Sequence, residues 1–125
     1  ATLGQTVIGH GTKVGDQAHI GHNVKIGPHT IIVSQVGISG SVQIGHHVIL
    51  AGQVGTVDNV QIGDGAIIGA RSLVTKDIGP GEKVSGFPPL PHRKWLAAQA
   101  SFQHLPELRA EVKILQKKVE QLEKR

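Results

Sequence analysis

An aliphatic residue returns at every sixth position from Ile8 to Val74: Ile8, Val14, Ile20, Ile26, Ile32, Ile38, Ile44, Leu50, Thr56, Ile62, Ile68 and Val74, with Thr56 as the single lapse. An amphipathic helix repeats at about 3.6 residues and a half-buried strand at about 2, so a beat of six excludes both as the organising unit and requires a repeat architecture. Two further columns keep the same beat. The residue two places earlier is small or β-branched throughout, as at Thr6, Ala18, Val24, Thr30, Val42 and Ser72, and the residue just after is usually glycine, as at Gly9, Gly15, Gly21, Gly27, Gly45, Gly63 and Gly69. The next two positions are mostly polar or turn-forming. Each hexad therefore reads as a short β segment with two inward side chains, followed by a corner.

This pattern resembles the hexapeptide repeat of the left-handed parallel β-helix acyltransferases. In that superfamily three hexads make one triangular coil of about eighteen residues. The twelve hexads here predict an all-β solenoid of about four coils, with the β-helix over residues 1–84, a proline-rich connector over 85–91 and helices over 92–125. Leu3-Gly4 already resembles the repeat, one residue out of phase. Asp77–Gly81, with Pro80 between glycines, reads as a turn, and Lys83–Gly86 as a last partial strand. Phe87-Pro88-Pro89-Leu90-Pro91 favours an extended path because each proline lacks a backbone donor and fixes φ.

The inward column alone buries too little apolar surface to offset the conformational entropy of ordering four coils. Solenoids also need covered ends, and outward Val7, Val33 and Ile49 remain to be buried. Packing of several chains side by side supplies that burial, and the family resemblance implies a homotrimer. In the tail, His92 to about His104 carries a helix signal. A second helix starts with Pro106 in its first turn, where a missing N–H costs nothing. Leu105, Leu108, Val112, Leu115, Val119 and Leu122 alternate spacings of three and four, a short coiled-coil seam. Val at a with Leu at d leans toward two strands, but a trimeric β-helix would impose three.

The chain of 125 residues contains no cysteine, so no disulfide forms. No signal peptide or apolar run of membrane-spanning length is visible, which predicts a soluble, cytoplasmic protein without a transmembrane segment. A start at Ala1 within the repeat and a chain without methionine read as a fragment of a longer protein or an engineered piece. The net charge of +4 is uneven: basic and acidic residues balance over 1–91, and the whole excess lies in the tail, with Arg93, Lys94, Arg109, Lys113, Lys117, Lys118, Lys124 and Arg125. An acidic partner approaching the tail is favoured. Nucleic acid is not, because only 2% of residues are aromatic and no stacking platform is available.

Residues eighteen apart stack about 4.8 Å from one another. His22, Gly40, Asp58 and Lys76 form one corner column; His10, Pro28, His46 and Asp64 form another, with His29 and His47 beside it. Around the first column, Ile20-Gly21-His22-Asn23-Val24 resembles the catalytic motif of the UDP-3-O-acylglucosamine N-acyltransferase family of lipid A synthesis. The resemblance continues through Ile38-Ser39-Gly40-Ser41 and is strongest at Ser85-Gly86-Phe87-Pro88 and Pro91-His92-Arg93-Lys94-Trp95. It covers nearly the whole chain, corresponding to the family's C-terminal two thirds.

That resemblance implies a transfer of a 3-hydroxyacyl chain from acyl carrier protein to the 2-amine of a UDP-glucosamine derivative. His22 would be the general base, a task suited to an imidazole near neutral pH. The Gly40 N–H would stabilise the oxyanion, and glycine permits the close approach. Lys76 aligns with a basic position that holds the acyl carrier protein or its phosphopantetheine arm, and a cation suits phosphate there. Asn59 stands where the family often has a second histidine assisting the substrate. It cannot titrate, so its expected part is in binding substrate or carrier. The donor is the phosphopantetheine thioester, with no bound cofactor and no metal. The family's N-terminal domain grips the uridine by aromatic stacking, and this chain, with no tyrosine and with Phe87, Phe102 and Trp95 near its tail, does not carry that platform.

Two rival readings stand beside this one. A corner histidine is ordinarily just solvated, and the chain would then be a non-catalytic trimeric scaffold or engineered fragment. The γ-type carbonic anhydrases place three zinc-binding histidines on a similar helix, a pair 36 apart and a third five further on. His10 and His46 match the pair, with His29 and His47 nearby, but position 51 is alanine.

Overall fold

The computed structural model describes residues 4–125; the Leu3 end of the out-of-phase Leu3-Gly4 motif lies outside them. Each hexad contributes a two-residue strand: β1 (Val7–Ile8), β2 (Lys13–Val14), β3 (His19–Ile20), β4 (Lys25–Ile26), β5 (Ile31–Ile32), β6 (Gly37–Ile38), β7 (Gln43–Ile44), β8 (Ile49–Leu50), β9 (Gly55–Thr56), β10 (Gln61–Ile62), β11 (Ile67–Ile68) and β12 (Leu73–Val74). Strands three apart in sequence pair in parallel, giving three sheets in the orders β1-β4-β7-β10, β2-β5-β8-β11 and β3-β6-β9-β12. The register is eighteen residues, with Val7 opposite Lys25, Lys13 opposite Ile31 and His19 opposite Gly37. This is the three-sided, left-handed β-helix that the resemblance to hexapeptide-repeat acyltransferases implies.

The second residue of each strand and the residue two places before it point inward. Val24, Ile38, Val42, Val48, Leu50, Ile68 and Val74 are completely or almost completely buried. Ile8 and Val14 of the first coil remain nearly half exposed, because among the described residues they have a coil on one side only. Polar members of the interior satisfy themselves: the hydroxyls of Thr6, Thr12 and Thr30 donate to the carbonyls of Gly21, Gly27 and Gly45 at 2.8–3.0 Å. Of the outward apolar residues, Val7 and Val33 are exposed and Ile49 is half-buried.

The corners have one recurring geometry. The second corner residue adopts positive φ, as at Gln17, Asn23, His29, Gln35, Ser41, His47, Gln53, Asn59 and Arg71. A turn with its third residue in that region is type II, and asparagine or glycine meets it at least cost. The glycines that follow the strands serve a different need. A Cβ on Gly21 would lie 2.9 Å from the Gly40 nitrogen, so glycine lets one coil rest on the next.

Above β11 sits β13 (Lys83–Gly86), in parallel, and β14 (Pro89–Pro91) folds back antiparallel to it around a cis Phe87–Pro88 peptide. The sequence read as a proline-rich connector is thus extended and paired. Buried Ser72 fastens this end: its hydroxyl donates to the Gly69 carbonyl at 2.7 Å and accepts from the Gly86 N–H at 2.9 Å. Ser85 Oγ lies 3.0 Å from His92 Nδ1, and the His92 ring stacks on Trp95.

The chain divides into two compact units, Ala1–Trp95 and Leu96–Arg125. Helix α1 (His92–Phe102) leads into α2 (Leu105–Glu123), which begins with Pro106 in its first turn. The seam residues Leu105, Leu108, Val112, Leu115, Val119 and Leu122 all lie open on this chain. No helix among the described residues is long and apolar enough to cross a membrane.

Candidate active site

Strands β3 and β6 pair as His19 with Gly37 and Ile20 with Ile38, so the two corners that follow them lie one above the other. The first carries His22 and the second Gly40. The imidazole of His22 lies directly against the Gly40 Cα, and a Cβ there would overlap His22 Nε2. The backbone secures both corners: the Ser41 N–H donates to the His22 carbonyl at 2.8 Å, and the Asn59 N–H to the Gly40 carbonyl at 3.1 Å. His22 is exposed, whereas Gly40 is buried beneath the ring. Among the described residues the Gly40 N–H meets no acceptor, and neither ring nitrogen of His22 has a hydrogen-bond partner. An imidazole with open ring nitrogens and an uncommitted N–H donor thus stand on two stacked corners, groups of the kind that acyl transfer to a nucleophile requires.

The third member of the column, Asp58, is exposed. Asn59 beside it holds φ at 66°, so its identity suits the corner's backbone whatever else it binds. Lys76 stands two coils above Gly40, about 10 Å at the inter-strand spacing. It lines a cleft of about 370 Å³ with Asp77, Ile78, Glu82, Lys83 and the β13–β14 hairpin. The Asn23 side-chain oxygen, next to His22, is buried and has no partner among the described residues.

The histidines of the second column cluster on a different corner. The rings of His10 and His29 lie 5.0 Å apart, those of His29 and His47 5.1 Å, and His46 Nδ1 is 3.0 Å from His47 Nδ1. His46 Nε2 meets Asp64 at 3.2 Å, and the His46 N–H donates to the same carboxylate at 2.9 Å. Among the described residues no group of three or more histidines, cysteines or carboxylates is disposed to hold a metal ion.

The structure also marks two residues that the residue count passed over. Thr56, the lapse in the aliphatic column, is buried at 5% exposure, and its Oγ1 accepts the Ser39 N–H at 3.1 Å. Ser39 Oγ in turn donates to the Thr56 carbonyl at 2.6 Å. The one available signal was that Thr56 is the only polar member of the column (Ile8 to Val74) that carries the beat.

The bacterial transferase hexapeptide repeat family matches residues 5–40. Over 69% of its length the chain superposes on 39% of a Neisseria gonorrhoeae serine acetyltransferase, with a TM-score of 0.65 and 26% identity. A soybean serine acetyltransferase gives 0.63 and 27%, over 68% of this chain and 39% of that one. Repeat, prism and corner together define a hexapeptide-repeat left-handed β-helix. Within that class the match narrows to the UDP-3-O-acylglucosamine N-acyltransferase family, to which the chain is similar over nearly its whole length. It is 55% identical over 124 residues to the enzyme of that name from Syntrophotalea carbinolica, covering 99% of this chain and 36% of the relative. With that of Myxococcus xanthus it shares 52%, again over 99% and 36%. The chain spans about a third of the length of the curated relatives it matches, which corrects the two thirds expected from the motifs.

Proposed function

We propose that the chain carries the acyl-transfer region of an N-acyltransferase of lipid A biosynthesis. It moves a 3-hydroxyacyl group from the phosphopantetheine thioester of acyl carrier protein to the 2-amine of a UDP-glucosamine derivative. The observation that supports this reading most is the contact of the His22 imidazole with Gly40, whose N–H is uncommitted, inside sequence 55% identical to an enzyme named for that reaction.

The steps follow from those two groups. The amine nitrogen attacks the thioester carbonyl carbon, forming the C–N bond and passing a proton to His22. The carbonyl oxygen, now an anion, accepts a hydrogen bond from the Gly40 N–H, whose dipole is already in place and needs no reorganisation. The C–S bond breaks as the carbonyl reforms, and the pantetheine thiolate takes the proton back from the imidazolium. Lys76 holds the phosphate of the pantetheine arm, and Asn59 contributes to substrate or carrier binding. The working form is a cytoplasmic homotrimer with its sites in the grooves between neighbouring β-helices. The basic tail meets the acidic carrier protein.

The test is a transfer assay with 3-hydroxyacyl-acyl carrier protein and a UDP-glucosamine derivative. His22→Ala is expected to lower kcat by about 10²–10⁴-fold, the usual worth of a general base. Absence of any His22-dependent transfer would leave a scaffold in place of the enzyme.

A further inference from the structure

The ladder that joins the coils has one irregular rung, and it lies next to the Gly40 corner. From Gly9 to Gly69, the N–H just after each inward strand residue donates to the carbonyl of the residue stacked on that strand residue in the coil above. Gly21 donates to Ile38 at 2.8 Å, Val33 to Leu50 at 2.9 Å, Gly45 to Ile62 at 2.9 Å and Val57 to Val74 at 3.0 Å. Ser39 alone departs from this series. Its N–H goes to the Thr56 hydroxyl oxygen instead, and its own hydroxyl takes the Thr56 carbonyl. The pairing of β6 with β9 accordingly holds in register only at Gly37 and Gly55, whereas β3 with β6 and β9 with β12 hold at both residues.

Ser39 immediately precedes Gly40, and the peptide between them carries the Gly40 N–H. Two hydrogen bonds to one neighbour hold Ser39 where every other such corner residue has one. Thr56 is almost fully buried and Ser39 half-buried, which shields these bonds from part of the competition with water. A hydroxyl in an otherwise aliphatic column carries a desolvation cost unless it is bonded, and here its bonding partner is the oxyanion corner.

We infer that Thr56 and Ser39 are positioning residues, whose exchanged hydroxyl contacts anchor Ser39, the residue from which the Gly40 peptide extends, and so set the aim of the Gly40 N–H at the acyl oxygen. This rests on the acyl-transfer reading above. A donor stabilises an oxyanion to the extent that it is preorganised, and a misplacement of about 1 Å costs about a hundredfold in rate.

The experiment compares wild type, His22→Ala, Thr56→Val, Thr56→Ser and Ser39→Ala in the same transfer assay, with amide NMR of Ser39 and Gly40. Thr56→Val keeps the shape and removes the hydroxyl. It is expected to lower kcat about 10–100-fold with the KM for 3-hydroxyacyl-acyl carrier protein within about twofold, to leave the pH profile where it was, and to shift the Ser39 and Gly40 amide signals. Thr56→Ser restores most of kcat and the amide positions, which a purely structural role for the threonine methyl would not allow. Ser39→Ala loses one of the two bonds and falls between; it decides the matter should Thr56→Val fold poorly. A wild type showing His22-dependent transfer, alongside Thr56→Val and Ser39→Ala of undiminished kcat, would overturn the inference and leave the acyl-transfer reading standing. Transfer that does not depend on His22 would overturn both.

Discussion

At Gly40 the absence of a side chain is a spatial requirement. A methyl group there would occupy the volume of the His22 imidazole, so Gly40→Ala is expected to push the ring off the donor while the coils remain stacked. A loss of about 10²–10³-fold in kcat, with the circular dichroism spectrum of the wild type, is the expected outcome. Ile38, two residues earlier and completely buried, belongs to the core instead: Ile38→Ala should cost about 2–5 kcal/mol in chemical denaturation. His22 and Gly40 were legible as a stacked pair because eighteen-residue spacing follows from the aliphatic column. The part played by Thr56 was not. A hydroxyl in a hydrophobic count looks like a defect, and only the positions of the Ser39 N–H and the Thr56 Oγ1 show that it is bonded.

The corner is the element that repeats most faithfully, and its second residue bears the backbone strain. At Asn59, with φ of 66°, a β-branched side chain meets the steric penalty of the left-handed region, whereas glycine does not. Asn59→Val should therefore lower stability by about 1–2 kcal/mol, and Asn59→Gly should be neutral or stabilising in the same denaturation series. Sequence reading placed turn-forming residues at these positions without specifying which of the two takes positive φ. Glutamine, serine, histidine and arginine share the site with asparagine, so residue type alone does not mark it. Helix α2 was legible from its spacing of three and four, and Pro106 from its place in the first turn. The hairpin of β13 and β14 was less so. Prolines announce an extended path but say nothing of what that path pairs with, and the pairing is long-range.

For the molecule as a whole, the outward apolar residues and the open seam of α2 leave surface that one chain does not cover. Sedimentation equilibrium is expected to give a trimer, and charged replacements at Val112 and Val119 should weaken it. A monomer of unchanged stability would refute that expectation. Capture of acyl carrier protein should weaken steeply as salt rises from 0.05 to about 0.5 M, because the excess charge of +4 lies in the tail and exposed charges are screened within about 10 Å at 0.1 M. The fold and the likeness to the N-acyltransferase family were legible because the repeat and the corner motifs are local in sequence. The assembly rests on a family resemblance and on exposed faces, which name a need without naming the partner that meets it.

The uniform register has a bearing on how such a chain can change length. Adding or deleting one residue within a strand would turn every later side chain from the inside of the prism to the outside. Growth is therefore permitted in whole storeys of eighteen, or as loops let out at a corner. A storey inserted above Thr56 or below His22 would leave the His22–Gly40 pair untouched. One inserted between His22 and Gly40 would part them by a full floor.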